Sequence, residues 1–201
     1  MFLYNPSYAS HQDGILNSLG RFFEKYYVAK YLEPKAGERV LDVGCNNGKF
    51  GRWFSEKYDV SVVGIDVNAR PFVENGLELR VGDAEQLDFP DNSFDAVVSM
   101  HTLEHLVDPR TALEEMYRVT KPQGRIVLTY PVEFIRGMTT VVSAIRAYGN
   151  PMMARQMHLH KLFPDDVSEM LKRGYKGILI RDKHLIATPQ PVWLTKQWMF
   201  K

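Results

Sequence analysis

A single cysteine, no long apolar run and a formal net charge of only +1 are the first absences in these 201 residues. One thiol excludes an internal disulfide framework and fits a reducing compartment. No uninterrupted apolar stretch is long enough to cross a bilayer as a helix. The start, Met1-Phe2-Leu3-Tyr4-Asn5-Pro6, lacks the basic region and apolar run of a signal peptide, so a cytoplasmic location is expected. Near-neutrality gives no global pull toward nucleic acid or an anionic membrane. Internal repeats and low-complexity tracts are also missing.

What is present is an ordinary globular composition, 45% hydrophobic and 24% charged, in a length that suits one domain. Residues 15–32 carry apolar side chains on one side of a helix (Ile15, Leu19, Phe22, Phe23, Tyr26, Tyr27, Ala29), ended by Pro34 and Gly37. From Glu38 the chain alternates strand and helix. Strands are expected over 40–43, 60–65, 77–81, 94–99 and 124–130, with helices over 50–58 and 111–119. Several of these strands are nearly continuous apolar runs, as parallel strands covered on both faces must be. That pattern predicts a doubly wound α/β sheet.

The rhythm breaks after Pro131. Residues 132–163 read as an insertion with a helix over 138–147. Pro164 suits the first turn of a following helix, Asp165 and Asp166 suit its positive N-terminal end, and Gly174 ends it. Short strands over 177–180 and 185–187 are close enough in sequence to form a hairpin. The tail, 189–201, has three large aromatics (Trp193, Trp198, Phe200) and no clear element.

The richest segment is Val40-Leu41-Asp42-Val43-Gly44-Cys45-Asn46-Asn47-Gly48. An apolar strand runs into an acid, a small-residue turn and then a helix, the grammar of a nucleotide-type pocket at the carboxyl edge of a parallel sheet. A turn made for a pyrophosphate offers bare amides and a helix N-terminus. Asp42 beside such a turn repels phosphates and attracts a cation. The segment resembles motif I, Asp-x-Gly-x-Gly-x-Gly, of class I S-adenosylmethionine-dependent methyltransferases. Asn46 replaces the middle glycine, and asparagine is the residue that best tolerates a left-handed backbone in its place.

The resemblance covers residues 40–131 and, more weakly, 158–187. It implies a Rossmann-like, mostly parallel seven-stranded sheet with a C-terminal antiparallel hairpin, binding S-adenosyl-L-methionine through Asp42, Gly44, Cys45, Asn46 and Gly48. Cys45 itself is read as packing under the turn. Asp66 follows the glycine turn at the ~20-residue spacing of a ribose-binding acid, with Val67 next to it. The bland alternative is a helix N-cap. Asp83 and Ala84 are implied contacts to adenine, against the alternative of a turn aspartate. Ser99 and Met100 are implied neighbours of the methionine portion.

His101-Thr102-Leu103-Glu104-His105 reads literally as the H-x-x-E-H zinc-protease motif. That chemistry needs both histidines on one helix face, whereas here the motif begins where a buried strand ends. By resemblance the segment instead caps the cofactor and borders the substrate. In quinone-modifying members its acidic residues and histidine are associated with a divalent cation. His101 stands at the first acid's position here, and no metal is expected. His158 and His160 resemble a lid stretch that covers the crevice. As proton acceptors the order of choice is His105, then His101, then His158. Met138, Met152, Met153 and Met157 read as adaptable packing.

The expectation is therefore one domain. Residues 1–37 form a helical cap, 38–131 the cofactor core, 132–163 a lid, 164–188 the completion of the sheet and 189–201 a tail. The expected chemistry is methyl transfer to an O, N or C nucleophile of a small molecule. The alternatives are an aminopropyl-type transferase on the same fold, or a cofactor-binding scaffold without catalysis. No nucleic-acid partner is expected, since no basic stripe appears and the fourth strand lacks the Asn-Pro-Pro-Tyr type turn of base methylases. A homodimer would form through the N-terminal helix or the aromatic tail.

Overall fold

A computed structural model of the chain describes residues 15–131, 135–137, 140–162, 166–167, 169–170, 178–182 and 196–200. Its strands are β1 (Arg39–Val43), β2 (Ser61–Asp66), β3 (Phe72–Glu74), β4 (Leu77–Val81), β5 (Phe94–Met100), β6 (Thr120–Thr129), β7 (Ile178–Asp182) and β8 (Lys196–Phe200). They form one sheet in the order β3-β4-β2-β1-β5-β6-β8-β7. The five central strands, β4 to β6, are parallel, and β3, β8 and β7 run antiparallel to their neighbours. The expected Rossmann-like α/β class is what the chain adopts. The strand order reverses at β1, between β2 and β5, where a crevice opens above the carboxyl ends.

Strand alternation sorts side chains to two faces. Leu41, Val43, Val63, Ile65 and Val97 share one core with helix α3 (Pro109–Val119), through Ala112, Leu113, Met116 and Val119. Val40, Val62, Ala96, Val98 and Val127 enter the other, beneath α1 (Ile15–Leu32) and α2 (Lys49–Tyr58). Helix α1 presents Val28, Ala29, Tyr31 and Leu32 to it, residues at helical spacing on one stripe. Asp108 caps α3 by accepting from the Arg110 and Thr111 amides, and Pro109 begins it.

Two strands of the sheet were not expected. Among the described residues it has eight strands, one of them Phe72–Glu74, which pairs with β4 across Asn75-Gly76, both with positive φ (46° and 78°). Asn-Gly in that conformation is the preferred two-residue hairpin connection. The predicted strand over 185–187 lies outside the described residues, as does Gly174. The tail also enters the sheet: Lys196–Phe200 inserts between β6 and β7, paired on both edges. The sequence gives no strand signal there, since 196–200 is two polar residues followed by three apolar ones.

The lid contains α4 (Val141–Tyr148), a 3₁₀ turn (Pro151–Met153) and α5 (Ala154–Met157). It has a small core of its own, Ala144, Ala154 and Met157, with Met153 packed against it, so these methionines do act as packing. Met138 lies outside the described residues. Of the helix expected after Pro164, residues 166–167 and 169–170 are described and helical. No helix of the described residues is long and apolar enough to cross a membrane.

Phe54 is wholly buried and stacks on Phe50 at 5.1 Å between ring centroids. Phe54→Ala should cost about 3–5 kcal/mol in urea unfolding. Val73, 77% exposed on edge strand β3, should accept threonine with a change within about 0.5 kcal/mol.

Candidate functional site

The turn between β1 and α2 is held to β2 by two amides, Gly44 and Cys45, donating to the Ile65 carbonyl at 2.8 and 3.0 Å. Gly44, Asn46 and Gly48 have φ of 78°, 52° and 73°, so Asn46 does take the left-handed form expected of it. At Gly44 the requirement is steric as well: a Cβ there would lie 2.0 Å from Thr102 Oγ1. Thr102 is locked in that position, its hydroxyl within hydrogen-bond reach of the Val43 and Met100 carbonyls at 3.2 Å each. Thr102 has no motif of its own and was not singled out in the sequence.

Asp66 lies at the tip of β2 with both carboxylate oxygens in use. One accepts from the Asn46 amide at 3.0 Å, the other from Asn68 at 2.9 Å. It is thus a clasp for the turn, and each oxygen keeps a second lone pair. Val67 beside it is 59% exposed. Gly82 donates to the Asp66 carbonyl at 3.3 Å, which brings the loop after β4 alongside. In that loop Asp83 is exposed and accepts from the Glu85 amide, while Ala84 is buried. Asp42 near the end of β1, Asp66 at the end of β2 and Asp83 just past β4 thus sit at the carboxyl ends of three adjacent strands.

Asp42 is 1% exposed, and its Oδ2 has no hydrogen-bond partner among the described residues. Burial, followed by the nearby Asp66 charge, pushes its carboxyl up to about 7. Cys45 packs its sulfur beneath the turn, where a Cβ on Gly64 would meet it at 2.9 Å. Burial and then the Asp42 and Asp66 charges push its thiol upward, so it is not an activated nucleophile. Ser99 is buried with its Oγ lacking a hydrogen-bond partner among the described residues, and Met100 packs partly against the α1 and α2 core.

The H-x-x-E-H segment does not form a protease helix. His101 has φ 52° and only Leu103–His105 make a 3₁₀ turn. His101 points its Nε2 at Glu24 of α1, 2.9 Å away, and its Nδ1 toward Glu104 at 3.7 Å. Desolvation favours its neutral form, yet the two carboxylates outweigh that and raise its pKa to about 10. Glu104, 2% exposed, is opposed by burial too, but the imidazoles of His101, His105 and His158 hold it down at about 2. Glu24 was invisible as a site residue in the sequence, since nothing marks it on an amphipathic helix.

His105 sets its Nδ1 2.6 Å from the Met157 carbonyl, and a carbonyl only accepts, so that nitrogen carries the hydrogen. Its Nε2 lies 3.9 Å from Glu104 Oε1. Desolvation chiefly, and the neighbouring His158, lower its pKa and keep it neutral. His158 is 2% exposed and meets the His105 ring edge-on, 4.9 Å between centroids. The lid reaches this place because Leu159 and His160 donate their amides to the Glu104 carbonyl at 2.8 and 3.2 Å. His160 instead rests its ring against the Val107 carbonyl.

A family model described as a methyltransferase domain matches residues 41–128. Methyltransferase GfsG of Streptomyces halstedii is 31% identical over 89% of this chain and 74% of its own length. Phosphoethanolamine N-methyltransferase 3 of Arabidopsis thaliana is 33% identical over 58% of this chain, which spans just 26% of that relative. The chain likewise spans under two thirds of most of its other curated relatives. Phosphoethanolamine N-methyltransferase 2 of Haemonchus contortus, solved in complex with S-adenosyl-L-methionine, shares the fold. Its TM-score is 0.63 at 22% identity, covering 79% of this chain and 38% of that one.

Gly44→Ala should unfold at markedly lower denaturant than wild type, since the methyl meets Thr102 as well as a left-handed φ. Gly37→Ala, with φ 80° but nothing within 4 Å, should cost only about 1 kcal/mol. Pairing Gly44→Ala with Thr102→Ala should recover part of the loss in a double-mutant cycle.

Proposed function

Because this chain belongs to the class I S-adenosylmethionine-dependent methyltransferases, we propose that it transfers the methyl group of S-adenosyl-L-methionine to an O, N or C nucleophile of a small molecule. The observation that carries this is the gathering of Asp66, Asp83 and the Gly44–Gly48 turn at the carboxyl ends of adjacent strands. Asp66 accepts from the ribose hydroxyls with the lone pairs its amide donors leave. Asp83 accepts from the adenine amino group, the Ala84 amide faces the ring, and Val67 covers it. Ser99 and Met100 border the methionine portion. Asp42, buried below the turn, supplies negative charge toward a donor that carries an ammonium and a sulfonium. Relatives named for phosphoethanolamine and for demethylmenaquinone support a small-molecule acceptor.

The sulfonium is already a good leaving group, so alignment and exclusion of water carry most of the acceleration. If a proton must be accepted, His105 is the better placed: its neutral ring has Nε2 as the acceptor nitrogen. His101 is held as a cation by Glu24 and Glu104, which removes it from that role near neutral pH. His158 stands behind His105.

Calorimetric titration with S-adenosyl-L-methionine tests the donor site. Asp66→Ala should weaken uptake roughly 10- to 100-fold, the loss of one or two charged hydrogen bonds. Unchanged uptake would sink the assignment. A tritium-methyl survey of small metabolites then tests transfer itself.

A pH series adds a second check. With Asp42 near 7 in the free protein, a bound cation pulls that value down, so binding releases a proton below pH 7. Affinity should therefore rise with pH up to about 7 and level off above it. Asp42→Asn should flatten that profile.

A further inference from the structure

Between Glu133 and Asp165 the sequence has four cations, Arg136, Arg146, Arg155 and Lys161, and no acid. The other 21 of the chain's 25 basic residues stand against 24 acids, so the near-neutral total conceals a positive lid on a net negative body. Apolar side chains gather on the same segment. Ten large ones are exposed among the described residues, and four of them, Ile135, Val142, Ile145 and Met152, belong to the lid. Single exposed apolar residues are ordinary, but a cluster of them marks a surface that meets something.

The unit presenting them is firmly built. Val141, Ala144 and Tyr148 turn one stripe of α4 toward Ala154 and Met157. Val142, Ile145 and Arg146, at i, i+3 and i+4, are left on the exposed stripe. Past the 3₁₀ turn, Met152 and Arg155 repeat the pairing of an apolar side chain with a cation, again exposed. Gly137 crosses so close beneath that a Cβ on it would lie 2.2 Å from the Ala154 carbonyl oxygen. The Thr140 hydroxyl is within hydrogen-bond reach of the Gly137 and Ala154 carbonyls, at 3.0 and 3.3 Å.

The cations differ in what already holds them. Arg136 donates to the Leu159 carbonyl, and Lys161 is engaged within the chain. Arg146 and Arg155 form no ion pair among the described residues. A polynucleotide would match those two guanidinium groups and leave Val142, Ile145 and Met152 facing phosphate. A lipid surface with anionic headgroups meets both needs. Apolar side chains and arginine stems enter the boundary of headgroup and acyl chain while the guanidinium groups pair with phosphates. We propose that the outer face of the lid, formed by Val142, Ile145, Arg146, Met152 and Arg155, docks reversibly on an anionic membrane surface.

The contact is shallow, because α4 has only 8 residues and no helix of the described residues can span a bilayer. The opposite side of the lid stays on the core through the Leu159 and His160 amides, so docking leaves the crevice attachments intact. It does not depend on the methyl-transfer reading.

The test is sedimentation of the whole chain with vesicles of phosphatidylcholine, alone or with about one third phosphatidylglycerol. Anionic vesicles should bind at least about tenfold more tightly than neutral ones at low salt, and about 0.5 M salt should release most of the protein. One cation near such a surface is worth about fivefold, so Arg146→Gln combined with Arg155→Gln should weaken binding roughly 25-fold. Ile145→Ser should weaken it roughly tenfold and leave the salt dependence as it was. Lys57→Gln, an exposed cation on α2, should change nothing. Failure to bind anionic vesicles, equal binding to both compositions, or full binding by both lid variants overturns the proposal. So does a dimer in analytical ultracentrifugation that Ile145→Ser dissolves, which would make a second copy the occupant. Donor calorimetry on the paired arginine variant should match wild type, so docking and donor binding stand or fall separately.

Discussion

Glu104 is 2% exposed where α1, the tip of β5 and the lid meet, and an ionised carboxylate taken out of water there is costly unless charge or hydrogen bonds surround it. Its surroundings answer that need unevenly. His101 and His105 both approach one oxygen, Oε1, at 3.7 and 3.9 Å, while Oε2 has no hydrogen-bond partner among the described residues. The residue's own carbonyl meanwhile receives two lid amides. One position therefore fixes the lid by its backbone and tethers the cap helix by its side chain. Loosening either would expose the same buried charge, which couples parts of the chain that are distant in sequence.

A second set of acids shapes the other half of the crevice by a different rule. Asp66 and Asp83 work near the surface and hold loops through amide hydrogen bonds before any ligand arrives. Asp42 has no such donors on Oδ2, and burial drives it toward the neutral form. These acids are thus arranged in shape before being settled in charge. Asp42, Asp66 and Asp83 gather on the β4-β2-β1 side and the imidazoles of His101, His105 and His158 beyond β5, on either side of the strand-order reversal.

The fold's centre was readable because its signals are local. Nearly continuous apolar runs marked the parallel strands as covered on both faces, and Asp42-x-Gly44 marked the switch strand; the sorting of Leu41 and Val43 to one face and Val40 to the other came with the structure. Asn75-Gly76 carried an equally local signal that was passed over, because the residues before it form a three-residue strand without a buried run. The placement of β8 needed more than pattern. Its five residues, two polar and then three apolar, carry no strand period and do not reveal which edge they will join. Site residues divided in the same way. Asp66 and Asp83 follow strands at set spacing, whereas Glu24, Thr102 and the meeting of His158 with Glu104 depend on tertiary packing. No window of sequence contains both partners.

That division changes the meaning of the N-terminal helix, which reads as a cover for one face of the sheet. His101 holds a left-handed backbone at φ 52°, a conformation a β-carbon makes unfavourable. Strain of that kind persists only where surrounding contacts over-determine it. Here the contacts are its amide to the Thr129 carbonyl at 2.8 Å and the ion pair to Glu24. Without the Glu24 carboxylate, the imidazole would lose the nearer of the two carboxylates that keep it protonated. Glu104 would then lose its fixed counterion. Helix α1 accordingly belongs to the electrostatics of the His101–Glu104 cluster as well as to the core, although it lies wholly outside the stretch matched by the methyltransferase model.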